Sequence, residues 1–198
     1  MARTREFNEE QALDAALRVF WRKGYEGTSL PDLTEAMGIN RPSLYAAFGS
    51  KEALFLRALE RYGEGPAAYV DEALKEGDAR AVAESLLFGA ARLLGDPRNP
   101  RGCFLVQGAL AGSEAAGPVR RALITKRAAG EIAIRKRFER ARREGDLSPD
   151  TNCTDLARYI ATVLQGMAVQ AAGGAKRGAL LRVAAIALRA WPEAGGQA

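Results

Sequence analysis

The chain has 198 residues, of which 47% are hydrophobic and 27% charged, so it can bury a core and has the composition of a globular protein. It contains no histidine and two cysteines, which disfavours an enzyme that relies on a histidine base and a zinc, nickel or copper site. The longest apolar runs fall far short of a membrane span and no apolar segment follows the basic N-terminus, so we expect a cytoplasmic protein with no membrane partner.

The net charge of +5 suits binding to nucleic acid, but the charge is unevenly distributed. Residues 1–52 hold seven Lys or Arg against eight Asp or Glu, a balance of −1. The excess lies in residues 120–143, where ten Lys or Arg accompany Glu131 and Glu139 and the balance is +8. That stretch could attract an anionic ligand or form a solvated helix face. Total basicity alone therefore does not indicate DNA binding.

Helices are predicted from the start of the chain. The first covers residues 8–23, where apolar side chains recur at i, i+3, i+4 and i+7, and Gly24 follows as a stop. The second covers residues 30–37, because Ser29 and Asp32 form a capping-box pattern at its start.

A short turn separates the second helix from a third. Gly38 can end the second helix in the left-handed conformation, and Asn40 can cap a third helix over residues 41–48. Ser50 can cap a fourth helix that runs to about Tyr62. Helices this short depend on packing against their neighbours. The predicted core residues of this unit are Leu30, Leu33, Met37, Ile39, Leu44 and Phe48.

Two short helices joined by a tight turn form the helix-turn-helix pattern, in which the second helix enters the major groove of DNA. Arg41 and Ser43 lie in the first turn of that helix, where side chains reach base edges, and arginine suits guanine. Tyr45 is placed for a phosphate, and a phosphate can also bind the helix start at Ser50 and Lys51. The alternative is that these are exposed polar residues of a small helical bundle.

The N-terminal part of the chain resembles the DNA-binding domain of the tetracycline-repressor (TetR) family of bacterial transcription regulators. The resemblance is carried by GYEGTSLPDLTEAMGINRPSLYAAFGSKEALFLRALERY and covers about residues 8–62. Its elements are specific in combination: Gly24-Tyr25, Thr28-Ser29, Asp32-Leu33, Gly38-Ile39, Ser43-Leu44-Tyr45, Phe48, Lys51-Glu52 and Leu54. The resemblance favours DNA binding over the small-bundle alternative.

The resemblance implies a set of DNA contacts. The residues that match family positions near phosphate or on the DNA backbone are Thr28, Ser29, Tyr45 and Lys51. The residues that match positions against the bases are Arg41, Pro42, Ser43 and Ala46.

Base selectivity would depend on few side chains. Because Ala46 and Ala47 are small, selectivity would rest on Arg41, Ser43 and a contact from Ala46 to a thymine methyl group. The arm with Arg3 and Arg5 could add minor-groove or phosphate contacts, or be a solvated tail.

Residues 53–198 resemble the family only in helical layout. A break is predicted at residues 63–66 and loops at 95–102 and 145–150. Helices are predicted from Asp78, over 103–112, over 118–144 with an interruption at Gly130, and over 154–172 and 176–190. The chain is thus predicted to be all-α with about nine helices: a three-helix helix-turn-helix domain over residues 1–52, and a helical effector-binding and dimerisation domain over 53–198.

The last two helices are the predicted dimer interface. Each carries an apolar stripe, and Gly166 and many alanines would let backbones approach closely. Members of the TetR family usually dimerise at these positions. The alternative is that the stripes form the core of one chain. The predicted interface residues are Leu156, Ile160, Val163, Met167, Leu180, Ala184, Leu188 and Trp191.

The family also implies an effector pocket among the middle helices. Occupancy would tilt the helix matching residues 51–75, so that the two recognition helices of a dimer no longer fit successive grooves. Cys103, after a loop at a helix start, could instead act as a redox sensor. The candidate pocket residues, each of which could equally be ordinary core, are Tyr69, Phe88, Phe104, Gln107, Phe138 and Met167.

We therefore expect a bacterial, nucleoid-associated transcriptional repressor that binds a palindromic operator in double-stranded DNA as a homodimer. An unidentified small-molecule effector would release it, and no catalytic residue, metal site or cofactor is predicted. In one alternative, a protein with the same fold acts as a nucleoid or division adaptor. The other is a helical-bundle enzyme, which the missing histidine and the lack of a phosphate-binding loop disfavour.

Overall fold

The computed structural model describes residues 7–107 and 116–192, and every regular element within these ranges is a helix. The all-α prediction is confirmed. The helices are α1 (Glu9–Lys23), α2 (Leu30–Met37), α3 (Arg41–Phe48), α4 (Lys51–Glu64), α5 (Tyr69–Ala73), α6 (Ala79–Leu94), α7 (Phe104–Gln107), α8 (Gly117–Arg143), α9 (Cys153–Ala172) and α10 (Arg177–Arg189). In the described ranges, none of them is both long and apolar enough to cross a membrane.

The breaks between helices lie close to their predicted positions. Helix α4 ends at Glu64, two residues before Pro66, and the one-turn helix α5 follows. Helix α6 begins after Asp78, whose carboxylate accepts a hydrogen bond of 2.6 Å from the backbone N–H of Ala81. The predicted arm residues Arg3 and Arg5 lie outside the described residues, as does the second half of the helix predicted over 103–112.

The interruption predicted at Gly130 does not occur. Helix α8 is continuous over 27 residues from Gly117 to Arg143. A glycine inside a helix costs only about 1 kcal/mol relative to alanine, and the packing of a long helix outweighs that cost. Helix α8 packs along α9 and contacts α4, α6 and α7.

The first core unites α1–α4 with the start of α7. Phe20 of α1 and Phe55 of α4 meet edge to face with ring centroids 5.0 Å apart, and Phe104 of α7 lies 5.0 Å from Phe55. Val119 and Leu123 of α8 complete this core. Four of the predicted core residues are buried and two, Leu30 and Ile39, pack half-buried against them; the buried four are Leu33, Met37, Leu44 and Phe48.

The second core is formed by α5, α6, α8, α9 and α10. Phe138 of α8 and Trp191 after α10 meet edge to face in it, with ring centroids 5.4 Å apart. The division of the chain at residue 52 stays a prediction, and the side chains of α4 as far as Tyr62 pack in the first core.

Candidate nucleic-acid interface and internal cavity

The start of α2 is fixed by reciprocal hydrogen bonds. Ser29 Oγ accepts from the backbone N–H of Asp32 at 3.2 Å, and the Asp32 carboxylate accepts from the N–H of Ser29 at 2.9 Å. Lys23 Nζ, at the end of α1, lies 2.7 Å from the same carboxylate. The hydrogen bond from Lys23, followed by those from Ser29, lowers the pKa of Asp32 to about 2. The start of α2 is therefore tied to the end of α1.

The turn between α2 and α3 depends on two local features. Gly38 has a φ of 66° and a ψ of 27°, in the left-handed region that residues with a Cβ rarely adopt. Asn40 Oδ1 accepts from the backbone N–H of Ser43 at 2.9 Å and caps α3. Helix α3 therefore begins at Arg41, and no acidic residue lies in its first turn.

The start of α4 has a side-chain cap and a lysine in contact with an aromatic ring. Ser50 Oγ accepts from the backbone N–H of Ala53 at 3.0 Å. Lys51 Nζ lies 4.5 Å from the centroid of the Tyr25 ring, a cation–π contact. Burial lowers the pKa of Lys51, and the carboxylates of Glu26 and Asp32 oppose this shift. Lys51 thus carries its positive charge close to the positive end of the α4 dipole.

Five of the eight residues predicted to contact DNA are exposed. They are Ser29, Arg41, Pro42, Tyr45 and Ala46, and Ser43 and Lys51 are half-buried. Tyr45 is 44% exposed, an unusual position for an aromatic side chain in a small helical unit. It lies four residues after Arg41, so both side chains share one face of α3. Within the described residues, Arg41 has no hydrogen bond or ion pair.

Thr28 differs from the other predicted contacts. Its side chain is 1% exposed, and its hydroxyl donates a hydrogen bond of 2.6 Å to the carbonyl of Gly24. The prediction of a phosphate contact from this side chain needs correction, because the hydroxyl is used inside the subunit. Thr28 fixes the segment between α1 and α2, and so positions Ser29.

A cavity of about 150 Å³ lies where α4 to α9 meet. Of the six predicted pocket residues, only Tyr69 lines it. Phe104, Phe138 and Met167 are buried core residues, and Phe88 packs half-buried against the second core. The Gln107 amide donates to the carbonyl of Arg101. The large apolar residues thus lie mostly in the two cores and not in the lining of this cavity, and the position of the effector pocket stays a prediction.

The polar lining of the cavity was missed by sequence reasoning. Tyr62, Cys103, Arg127 and Gln165 all line it, and Tyr62 OH lies 3.4 Å from Cys103 Sγ. Tyr62 carries no sequence signal for this role, since it continues the apolar stripe of α4. Cys103, which directly follows the loop predicted over residues 95–102, is the one local sequence feature that indicates this site.

The predicted dimer residues also need correction. Six of the eight are buried within a single chain, where they pack α9 and α10 against the second core: Ile160, Met167, Leu180, Ala184, Leu188 and Trp191. Leu156 and Val163 are half-buried against the same core. The outward faces carry other apolar residues: Val169 is 50% exposed, Val183 41% and Ile186 61%. Gly166 is exposed on α9, three residues before Val169.

The two ranges of described residues contain no cluster of three or more His, Cys, Asp or Glu side chains placed to hold a metal ion. The described residues form a cationic, partly aromatic helix face beside a capped helix start, and a partly open cavity among α4 to α9.

Comparison with known proteins gives a consistent result. The sequence model of "Bacterial regulatory proteins, tetR family" matches residues 12–58, and that of "Tetracyclin repressor-like, C-terminal domain" matches residues 80–186. The HTH-type transcriptional repressor ComR of Escherichia coli is 33% identical over 193 residues, which is 96% of this chain and 92% of ComR. The repressor BdcR of the same organism is 41% identical over 109 residues, or 54% of each chain.

A solved structure is similar over almost the whole length. It is a cysteine mutant of the TetR family transcriptional regulator CifR, complexed with 26-bp double-strand operator DNA. The two chains are 44% identical and superpose with a TM-score of 0.92, covering 96% of this chain and all of that one.

Proposed function

This chain belongs to the TetR family of bacterial transcription regulators, and on that premise we propose that it is a repressor that binds a palindromic operator as a homodimer and is released by a small-molecule effector. Members of this family are DNA-binding transcription factors, so the chain is a transcriptional regulator and not an enzyme. It acts on DNA in the bacterial cytoplasm. The repressor names of ComR and BdcR and the operator complex of CifR support the proposal.

One observation carries the DNA-binding role. Arg41 is exposed in the first turn of α3, with Tyr45 on the same face, and Arg41 has no partner among the described residues. An unpaired cation next to a helix start destabilises the helix by about 0.3 kcal/mol or more, unless an anion binds there. DNA supplies that anion.

The contacts divide into two kinds. Arg41 and Ser43, with Pro42 and Ala46 beside them, contact base edges in the major groove. Ser29, Tyr45 and Lys51 contact phosphates, since they lie at two capped helix starts and on the exposed face of α3. Thr28 supports Ser29 from inside the subunit.

The dimer forms through the outward faces of α9 and α10. Val169, Val183 and Ile186 are large apolar residues left exposed by the single chain, and the exposed Gly166 allows a close helix approach. A two-fold axis between these faces pairs each patch with its own copy. The two α3 helices would then lie about 34 Å apart, one turn of DNA.

Selection of binding sites from random duplex DNA tests the proposal. The wild-type protein should enrich an inverted repeat, with half-sites separated by about 10 bp. Absence of enrichment, or a motif without two-fold symmetry, would contradict a dimeric operator-binding repressor. Genome-wide binding to a few promoters supports the repressor, whereas many dispersed sites would favour a nucleoid or division adaptor.

A further inference from the structure

The cavity between α4 and α9 has two tyrosine hydroxyls among its polar groups. Tyr62 OH lies 3.4 Å from Cys103 Sγ, a weak hydrogen-bond partner, and both residues line the cavity. Tyr69 also lines the cavity, and its hydroxyl has no hydrogen-bond partner among the described residues. The lining therefore contains two phenolic side chains, and the hydroxyl of one of them, Tyr62, is already in contact with Cys103 Sγ.

The ring of Tyr69 is held in place by a glycine. A methyl group at Gly89 of α6 would overlap the ring atoms of Tyr69, so the ring packs directly on the backbone of α6. Burial raises the pKa of both Tyr62 and Tyr69 above the ordinary value of a phenol. A phenol with its ordinary pKa of about 10 is already protonated at neutral pH, so both hydroxyls can donate there.

Two of the three charged side chains in the lining already have partners, and the third, Lys126, is exposed. Arg127 Nη1 donates a hydrogen bond of 2.9 Å to the carbonyl of Leu105, and Glu131 lies 3.3 Å from Arg158. Most of the remaining lining is aliphatic and includes Val70, Leu86, Leu94, Ile134 and Leu164. Such a space favours an uncharged molecule, because an ion among the aliphatic side chains would lose its hydration, whereas the exposed ammonium group of Lys126 stays in contact with water.

The cavity is partly open, and its volume sets the scale of the part of an occupant that lies inside it. At about 150 Å³ it matches an engineered apolar protein cavity of about 150 Å³ that binds benzene. A six-membered ring with one small substituent is therefore the right scale.

We propose that this cavity binds a small, uncharged, mainly apolar molecule that carries one hydrogen-bond acceptor, and that Tyr62 and Tyr69 donate to that acceptor. The proposal rests on the proposed function, because it names the chemical class of the effector. The proposed ligand is uncharged, unlike the anionic ligand that the basic composition of residues 120–143 would suit.

The groove beside the cavity supports the same class. Between α4, α5 and α8, this groove shares Tyr62 and Lys126 with the cavity and is lined by Glu60, Glu64 and Asp71. Three carboxylates against one ammonium group disfavour the approach of an anion. An uncharged molecule meets no such barrier.

The cavity also contacts the DNA-binding unit through three consecutive residues. Cys103 lines the cavity, while the carbonyl of Gly102 accepts a hydrogen bond from Trp21 of α1. The ring of Phe104 packs between Phe55 and Tyr62 of α4. An occupant that accepts a hydrogen bond from the Tyr62 hydroxyl replaces the contact of that hydroxyl with Cys103. It therefore changes the contacts of the segment that joins the cavity to α1 and α4.

Calorimetric titration with four ring compounds tests the ligand class. The probes are cyclohexanone, which has an acceptor; methylcyclohexane, which has none; cyclohexanecarboxylate, an anion; and cyclohexylamine, a cation. The wild-type protein should bind cyclohexanone and show no binding of the carboxylate or the ammonium ion at the same concentrations. Tighter binding of either ion would overturn the proposal, and so would failure of all four probes to bind.

Two variants isolate the hydrogen bonds. The double variant Tyr62→Phe plus Tyr69→Phe keeps the shape of the cavity and should bind cyclohexanone about fivefold more weakly or worse, with methylcyclohexane changed less than twofold. Tyr69→Phe alone removes a hydroxyl without a protein partner, so it should fold normally and show part of the same loss. Equal effects on both probes, or no effect on either, would overturn the proposal.

DNA binding is measured in parallel on the selected operator. Operator binding with no cyclohexanone binding would overturn the ligand class and leave the proposed function intact. If the wild-type protein does not bind the operator, that result contradicts the proposed function itself.

Discussion

The indole Nε1 of Trp21 in α1 donates a hydrogen bond of 2.9 Å to the backbone carbonyl of Gly102, at the start of α7. The contact is buried and joins residues 81 positions apart in sequence. It links the DNA-binding unit to the segment that lines the cavity, and Tyr62 packs edge to face on the same indole with ring centroids 4.9 Å apart. The two parts of the chain therefore share a polar contact inside an apolar core, where such a contact is costly to lose.

The substitution Trp21→Phe should remove this hydrogen bond and leave the Gly102 carbonyl without a partner. We expect an additional loss of about 1–3 kcal/mol in the free energy of unfolding, measured by urea denaturation, beyond that of a matched control. The control is Trp191→Phe, which removes the same atoms from a packed indole in the second core. Equal losses in the two variants would show that the hydrogen bond contributes nothing beyond packing.

The phosphate contacts are tested by the double variant Tyr45→Phe plus Lys51→Ala. It should weaken binding to all DNA sequences alike and reduce the slope of log affinity against log salt by about 1, because one cation no longer displaces a counterion. Fluorescence anisotropy with operator and random duplexes at several salt concentrations measures both effects. Lys136→Ala, at an exposed cation on α8, is the control for a general charge effect. Unchanged affinity in the double variant would contradict our account of α3 and α4.

Base readout is tested separately by Arg41→Ala. An arginine that contacts guanine discriminates against the wrong base by about 1–3 kcal/mol. The variant should therefore lose preference at one position in each half-site of the operator, while its salt dependence changes little compared with that of the phosphate variant. A repeated site selection shows this directly. If the selected motif keeps all its positions, Arg41 does not read a base.

The N-terminal unit was predictable because its determinants are local. Ser29 with Asp32, Asn40 with Ser43, and Ser50 with Ala53 each interact across three residues, so the sequence pattern contains both partners. Helix bounds in this region consequently agree with the prediction to within one or two residues.

The dimer face and the cavity depend on long-range packing that no local pattern contains. Helices α9 and α10 carry apolar residues on both sides, and only the position of the second core shows that Ile160 faces inward and Val169 outward. The cavity lining comes from six helices, and Tyr62 becomes a lining residue only because α5, α7 and α8 surround it. The family resemblance places Thr28 near phosphate, whereas its hydroxyl donates a hydrogen bond to the carbonyl of Gly24 within the subunit.

The capping of α2 predicts a pH dependence. The pKa of Asp32 is lowered to about 2 by Lys23 and Ser29, below its value of about 3.9 in an unfolded chain. A lowered folded-state pKa stabilises the protein above pH 4, and this contribution is lost as the pH falls toward 2. The difference in unfolding free energy between the wild type and Asp32→Asn should therefore shrink over that interval. Lys23→Ala removes the largest cause of the shift and should show a weaker dependence; a difference independent of pH would contradict this origin.

The outward face of α9 and α10 can be tested at Ile186, whose side chain is 61% exposed in the single chain. Because a two-fold interface pairs the same patch of both subunits, Ile186→Glu would place two carboxylates in the apolar patch of the dimer. We expect the variant to sediment as a folded monomer at concentrations where the wild type is a dimer, and to bind one half-site weakly instead of the full operator. Ile124→Glu is the matched control, since Ile124 on α8 is 46% exposed and lies outside the proposed interface. A buried pair of like charges cannot be accommodated without dissociation. If Ile186→Glu therefore remains dimeric, or if Ile124→Glu dissociates instead, the subunits pair through a different surface.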